Sequence, residues 1–266
     1  MLLPPLLLAL LVGPAAALSS AAYSSLRAAV AQSFNLTASY GVLCNACDAG
    51  HKIGALVRLA FHDAAGVNRP NGCIDYTTAD NSNLDATQAQ LDLVRASTPE
   101  GALLSKADFY VLAATLAIEL ASTLAPAPDP ELATTANNPL DFSVQPLVLP
   151  FVTGRVDDAA CVGDANVLPG TNYTWSLITG LFSGRFGMTA TEIVAIMGAH
   201  SLGRINKSPG VTGNISNLGW VQSATSFSTN YYSVLLNGAQ GWFATQNLGG
   251  SKYAEQTPPT HPPTPH

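Results

Sequence analysis

One stretch decides most of what this chain can become. Residues 106–125, KADFYVLAATLAIELASTLA, are rich in Ala, Leu and Ile, and wound into a helix they are apolar on nearly every side. Ser105 followed by Asp108 resembles a capping box and places the helix start there. A helix with no polar face has to be central and buried, so other helices must cover it. Candidates are at hand. Residues 21–34 repeat Tyr23, Leu26, Val30 and Phe34 at helical spacing, and 51–65 repeat Ile53, Leu56, Val57, Ala60, Phe61 and Ala64. Thr189 with Glu192 forms a second capping box, opening a short helix through Ile193, Val194, Ile196 and Met197. Another helix starts at Asn230 to Leu236.

Between these lie a loop rich in Asn, Asp, Gly and Thr at 66–83 and an irregular middle punctuated by Pro126, Pro128, Pro130, Pro139, Pro146 and Pro150. There is no strand alternation and no internal repeat. The chain reads as all-α. Its 266 residues with 47% apolar composition can bury a sizeable core, and only 11% are charged, against ~25% in an average soluble protein. A net charge of −6 excludes a basic nucleic-acid surface. The apolar content excludes a disordered chain, and no internal apolar run reaches the ~20 residues of a spanning helix.

The first seventeen residues, MLLPPLLLALLVGPAAA, end in Ala15-Ala16-Ala17, the small-x-small pattern of a signal-peptidase site. They read as a cleaved signal peptide, although no Lys or Arg precedes the apolar stretch; a short membrane anchor or an amphipathic start to the domain is the alternative. The expected organisation is therefore a signal peptide at 1–17, one domain at 18–256 and a disordered Pro-rich tail at 257–266. Within the domain, one half runs to about residue 125 and the other starts at about residue 150. Sequons at Asn35, Asn172, Asn206 and Asn214 fit a secreted glycoprotein, without membrane attachment after cleavage. Four cysteines allow three pairings. Cys44-Asn45-Ala46-Cys47 has redox CxxC spacing but no strand–turn–helix before it, so structural disulfides are favoured, with Cys73–Cys161 as the long link.

Two histidine segments carry chemistry. In Leu56-Val57-Arg58-Leu59-Ala60-Phe61-His62-Asp63, Arg58 and His62 stand at i and i+4 and leave one helix face a turn apart. A neutral imidazole beside a fixed cation suits heterolysis of a peroxide. The imidazole carries the proton from one oxygen to the other, and the guanidinium stabilises charge growing on the departing oxygen. In Ile196-Met197-Gly198-Ala199-His200-Ser201-Leu202-Gly203-Arg204, His200 ends an apolar helix between two glycines, which would let a flat ligand approach the backbone. Histidine is a common axial ligand of haem iron.

Together these segments resemble the plant, fungal and bacterial haem peroxidase superfamily. Arg-Leu-x-Phe-His-Asp is similar to its distal signature and Gly-Ala-His-Ser-Leu-Gly-Arg to its proximal one. Similarity continues through Ser105-Lys-Ala-Asp108, Gly154-Arg155-Val156-Asp157, Leu168-Pro169, Phe186-Gly187-Met188-Thr189 and Phe227 to Leu236. The layout resembles secreted ascorbate-peroxidase-like proteins of algae and invertebrates. The resemblance implies an all-α haem peroxidase fold with haem b held between a distal and a proximal helical domain. It implies a monomeric enzyme that reduces hydrogen peroxide with a small organic electron donor through a ferryl intermediate. It makes His62 the distal acid/base, Arg58 its electrostatic partner and Asn81 the acceptor that fixes the His62 tautomer. His200 becomes the iron ligand, with Phe61, Pro169, Ser201 and the proximal Trp220 lining the cofactor. Asp63 and the Gly66 carbonyl match ligands of a distal Ca²⁺ site, while Asn71 stands where the family has Asp and Asp75 could substitute for it.

Departures are informative. The family hydrogen-bonds its proximal His to a carboxylate, which strengthens the His as a donor to iron. After Asp164 this chain has no aspartate, and Glu192 and Glu255 are its only acidic residues there. Ser228 replaces an Asp of the proximal calcium site, and Pro209 stands where relatives place the ascorbate-binding arginine. A haem-binding protein with little peroxidase turnover is therefore the rival reading.

Overall fold

The computed structural model describes residues 18–36, 48–66, 70–123, 147–161, 168–169, 174–203, 225–229, 231–232, 242–246 and 252–256. Seven helices fall in these ranges: α1 (Ser20–Ser33), α2 (Asp48–Ala65), α3 (Asp85–Ser97), α4 (Pro99–Ala102), α5 (Lys106–Ser122), α6 (Trp175–Phe186) and α7 (Ala190–Met197). Among the described residues the regular structure is helical apart from one antiparallel hairpin, β1 (Trp242–Gln246) with β2 (Lys252–Gln256), where Phe243 pairs with Glu255. That hairpin corrects the strand-free reading. The signal segment, Cys44, Cys47, the sequons beyond Asn35, the Pro126–Pro146 stretch, Trp220 and the tail lie outside the described residues.

Contacts divide the chain into two units. The first takes Met1–Thr37, Leu56–Glu119 and Leu147–Ala165; the second takes Ala38–Ala55, Leu120–Pro146 and Asn166–His266.

In the first unit, the Ser19 hydroxyl caps α1 by accepting from the Ala22 N–H at 3.2 Å. Leu26, Val30 and Phe34 are buried as their spacing requires, and α1 packs on α3 and α4. On α2 the buried line is Ile53, Leu56, Leu59, Ala60 and Asp63, while Val57 and Phe61 are half-buried. The inner face is rotated from the expected one because it has to include a carboxylate. Helix α5 is buried all round: Ala107, Phe109, Tyr110, Leu112, Ala113 and Ala117 are wholly covered. Its polar residues turn out to be built-in anchors. Buried Glu119 accepts from the Tyr23 hydroxyl at 2.9 Å and the Leu149 N–H at 2.8 Å, joining α1, α5 and the 147–150 segment.

The start of α5 shows why two separate segments of the sequence belong together. Ser105 Oγ accepts from the Asp108 N–H at 3.0 Å, which is half of a capping box. The Asp108 carboxylate does not complete the box. It accepts from the N–H groups of Gly154 (2.8 Å) and Arg155 (3.2 Å) and pairs with the Arg155 guanidinium at 2.8 Å. Asp157 answers from the other side, accepting from the N–H groups of Lys106 (2.9 Å) and Ala107 (3.0 Å). A carboxylate on the first amides of a helix satisfies orphan donors and meets the positive end of the helix dipole. Gly72 must be glycine here: its φ is +70°, and a Cβ would sit 2.8 Å from the Ala107 nitrogen. The disulfide Cys73–Cys161 closes the same corner with a Cα–Cα distance of 5.2 Å, as the sequence favoured.

Removing these two carboxylates should cost unequal amounts. Asp157→Ala deletes an exposed cap and should lower stability by about 1 kcal/mol. Asp108→Ala strands a guanidinium and two amides around a side chain that is only 3% exposed, and should cost about 3 kcal/mol. Denaturant melts of both variants check the order; equal losses would contradict this account of the corner.

In the second unit, Thr174 caps α6 and Gly187 ends it in the left-handed region at φ +65°. Thr189 and Glu192 then form the complete capping box expected of α7, which packs on α6. Among the described residues, no helix is long and apolar enough to cross a membrane.

Candidate active site

Arg58 and His62 leave α2 one turn apart, and the loop that follows α2 returns to meet both. The Arg58 guanidinium donates to the carbonyls of Ser82 (3.0 Å) and Asp80 (2.6 Å). Two backbone dipoles thus hold the charge in place. Burial lowers the Arg58 pKa, opposed by Asp80, but a guanidinium remains a cation throughout the working pH range. Asn81, between those two carbonyls and 5% exposed, puts its Oδ1 2.7 Å from His62 Nδ1.

The tautomer follows from the next bond along. Asn81 Nδ2 donates to the Asp75 carbonyl at 2.8 Å. An amide whose NH₂ is committed to a carbonyl can offer the imidazole only its oxygen. His62 Nδ1 therefore carries the proton, and Nε2 keeps its lone pair as a base. Burial, reinforced by the Arg58 charge and opposed by the Asn81 bond, brings the His62 pKa down to about 4. The ring is neutral at physiological pH, ready to accept a proton. Phe61 meets the His62 ring edge-on, with centroids 6.0 Å apart.

In the second unit, His200 sits in the 3-10 turn Gly198–Ser201 that continues α7. Burial alone lowers its pKa to about 4. A neutral imidazole is the form whose ring nitrogen ligates a metal, so the donor at this position fits haem iron. The Tyr231 ring lies 5.1 Å from the His200 ring, tilted by 48°. Ser201 is fully buried, and its hydroxyl accepts from the Ser228 N–H at 3.4 Å.

The glycines around His200 do a different job from the expected one. A Cβ on Gly198 would meet the Tyr232 hydroxyl at 3.0 Å, and one on Gly203, at φ +81°, would lie 2.8 Å from the Gly54 Cα. They admit protein neighbours, an aromatic ring and a backbone crossing. Gly203→Ala should therefore destabilise the fold whether or not haem is bound, which thermal melts of both forms would show.

The distal cation cluster is not assembled. Both oxygens of Asp63 accept from the Gly72 N–H at 3.0 Å, and one also accepts from Asn71 N–H at 3.2 Å. Asn71 spends its amide oxygen on the Cys73 N–H and its Nδ2 on Asp158. Asp75 lies at the surface and turns back on Thr77. Asp63 is thus an anchor for the 71–72 backbone. Among the described residues no group of three or more His, Cys, Asp or Glu side chains is placed to share a metal ion. Gly66 is buried and Pro169 half-buried. Four parts of the site escape a reading of side-chain motifs. The carbonyls of Asp75, Asp80 and Ser82 act through backbone, which any residue supplies, and Tyr231 had only its helical position to mark it.

Known proteins bear out the resemblance. A family model described as Peroxidase matches residues 26–252. The peroxisomal L-ascorbate peroxidase 5 of Arabidopsis thaliana is 30% identical over 193 residues, which is 69% of this chain and 57% of that protein. The cytosolic L-ascorbate peroxidase 2 of Oryza sativa subsp. japonica is 27% identical over 69% of this chain and 64% of its own length. This chain thus spans somewhat over half the length of the curated relatives it matches. With the histidine signatures, the all-helical fold and a match over most of its length agreeing, the chain belongs to the peroxidase family, within the haem peroxidase superfamily.

Proposed function

We propose that this protein is a haem-dependent peroxidase that reduces hydrogen peroxide with a small organic electron donor. The observation that carries the reading is the His62–Asn81–Asp75 chain of hydrogen bonds, which leaves Nε2 of a neutral histidine as a base with Arg58 a helical turn away. By their match to the superfamily's motifs, His200 would hold the iron, Pro169 and Ser201 would line the cofactor on its side, and Phe61 answers to the family's distal aromatic residue. When bound, the haem supplies the redox chemistry of peroxide reduction.

The protein's part is proton handling and electrostatics. His62 Nε2 takes the proton from the near oxygen of hydrogen peroxide and returns it to the far oxygen, which leaves as water. Arg58, pinned by the carbonyls of Asp80 and Ser82, stabilises negative charge on that departing oxygen without having to reorganise. Asn81 keeps the imidazole in the tautomer that can act as a base. The test is an absorption spectrum of the haem-loaded protein before and after one equivalent of hydrogen peroxide. A Soret band that shifts on addition supports turnover; a band that does not respond supports the haem-binding rival.

The His62 pKa fixes the pH profile. Base catalysis needs the neutral ring, which persists above a pKa of about 4. The rate of reaction with peroxide should hold constant from neutral pH downward and fall only as pH approaches about 4, whereas an ordinary histidine would lose it below about 6.5. Stopped-flow rates across that range give the result, and a midpoint near the ordinary value would contradict the buried geometry.

The protein enters the secretory route as a glycosylated monomer. The apolar leader supports the secretory route, as does the Cys73–Cys161 bond, since such bonds persist in oxidising compartments, and the sequons support the glycosylation. N-terminal sequencing and the native mass of secreted material test it.

A further inference from the structure

Beside His200 stands an aromatic pair that peroxide activation does not use. Tyr231 is buried, 6% exposed, with its ring centroid 5.1 Å from that of His200. The Tyr232 ring follows at 5.4 Å from Tyr231, with planes 70° apart. Both separations fall within ordinary aromatic contact. Tyr232 is half-buried, and its hydroxyl donates to the carbonyl of Val194, itself 43% exposed. Tyr232 also lies against Gly198, in the turn that carries His200. Three rings in contact thus lead from a buried ligand position towards solvent.

We propose that Tyr232 is a surface oxidation site, wired through Tyr231 to His200, at which phenols too bulky to reach a buried haem give up electrons. This rests on the reading of His200 as the haem ligand. Tyr232 loses one electron and its phenolic proton, becoming a neutral phenoxyl radical. The electron leaves through the Tyr231 ring towards His200, and the proton goes to water at the exposed side. A phenol then returns a hydrogen atom to Tyr232, regenerating the tyrosine and leaving as its own phenoxyl radical. Two such cycles supply the two electrons and two protons that convert one hydrogen peroxide into two waters. Tyr231, only 6% exposed and in ring contact with both neighbours, is the redox-active bridge between Tyr232 and His200.

The experiment uses the full haem-loaded chain, one equivalent of hydrogen peroxide, no donor and a nitroso spin trap, with peptide mass spectrometry to find the adduct. The wild type should carry the adduct on Tyr232 and show a phenoxyl signal by electron paramagnetic resonance. Tyr231→Phe breaks the redox-active bridge yet keeps the ring's shape, and should abolish the Tyr232 adduct while leaving the Soret band unchanged. Tyr232→Phe, at a half-buried position, should lose turnover of a polymer-linked phenol and keep that of the free phenol. A normal Soret band with no adduct on Tyr232 in the wild type, or an undiminished adduct in Tyr231→Phe, overturns the relay alone. Failure of the wild type to bind haem overturns the haem reading and the relay with it.

Discussion

Haem-loaded His62→Leu should react with hydrogen peroxide about 10²–10⁴-fold more slowly than the wild type, the usual worth of a positioned acid/base. Leucine fills a similar volume, so the Soret band should survive and the loss belong to chemistry. The size of the effect follows from what remains. Arg58 still has its two carbonyl partners, and its charge alone cannot move a proton between two oxygens. Asn81 keeps its bond to the Asp75 carbonyl but has no imidazole to orient. Stopped-flow traces at the Soret maximum give the comparison, and rates within a factor of two would remove His62 from the mechanism.

His200→Ala should lose the five-coordinate high-spin spectrum altogether, and added imidazole should restore part of it. The replacement leaves space beneath Tyr231, whose ring packs against that imidazole, so a free imidazole has both a pocket and an aromatic wall to sit on. Partial recovery would locate the ligand at this side chain. An unchanged spectrum in the variant would assign the iron to some other residue.

The helices legible in the sequence were those whose ends are written in side chains. Thr189 and Glu192 delivered the full capping box of α7, and the unbroken apolar surface of α5 required the burial it has. Helix α6 was missed because Gly180 and Gly184 interrupt its pattern, although a Cβ at either would meet nothing; they weaken the signal without serving contact. Helix α3 was missed because its buried face shows only Leu91 and Val94. The histidine pair of the site was legible because function there resides in side chains at helical spacing. What held those side chains was not, since a carbonyl of Asp75 looks like any other carbonyl. Asp63 shows the same limit. Its match to a distal Ca²⁺ ligand says nothing of the N–H groups of Asn71 and Gly72, from which its carboxylate accepts in the structure.

The corner where Asp157 caps α5 bears on the order of assembly. The cap reaches back 51 residues to Lys106 and 50 to Ala107, so the first turn of the central helix cannot be secured until a long loop has closed. Closing it costs entropy before any contact is gained, and contacts distant in sequence slow folding for that reason. The buried central helix therefore waits with an unfinished end, its apolar surface open to wrong partners. The Cys73–Cys161 link, spanning 88 residues, joins the chain at the same corner and confines the search once it has formed. Refolding from the oxidised chain should thus outpace refolding from the reduced one, and aggregation should claim more of the reduced material along the way.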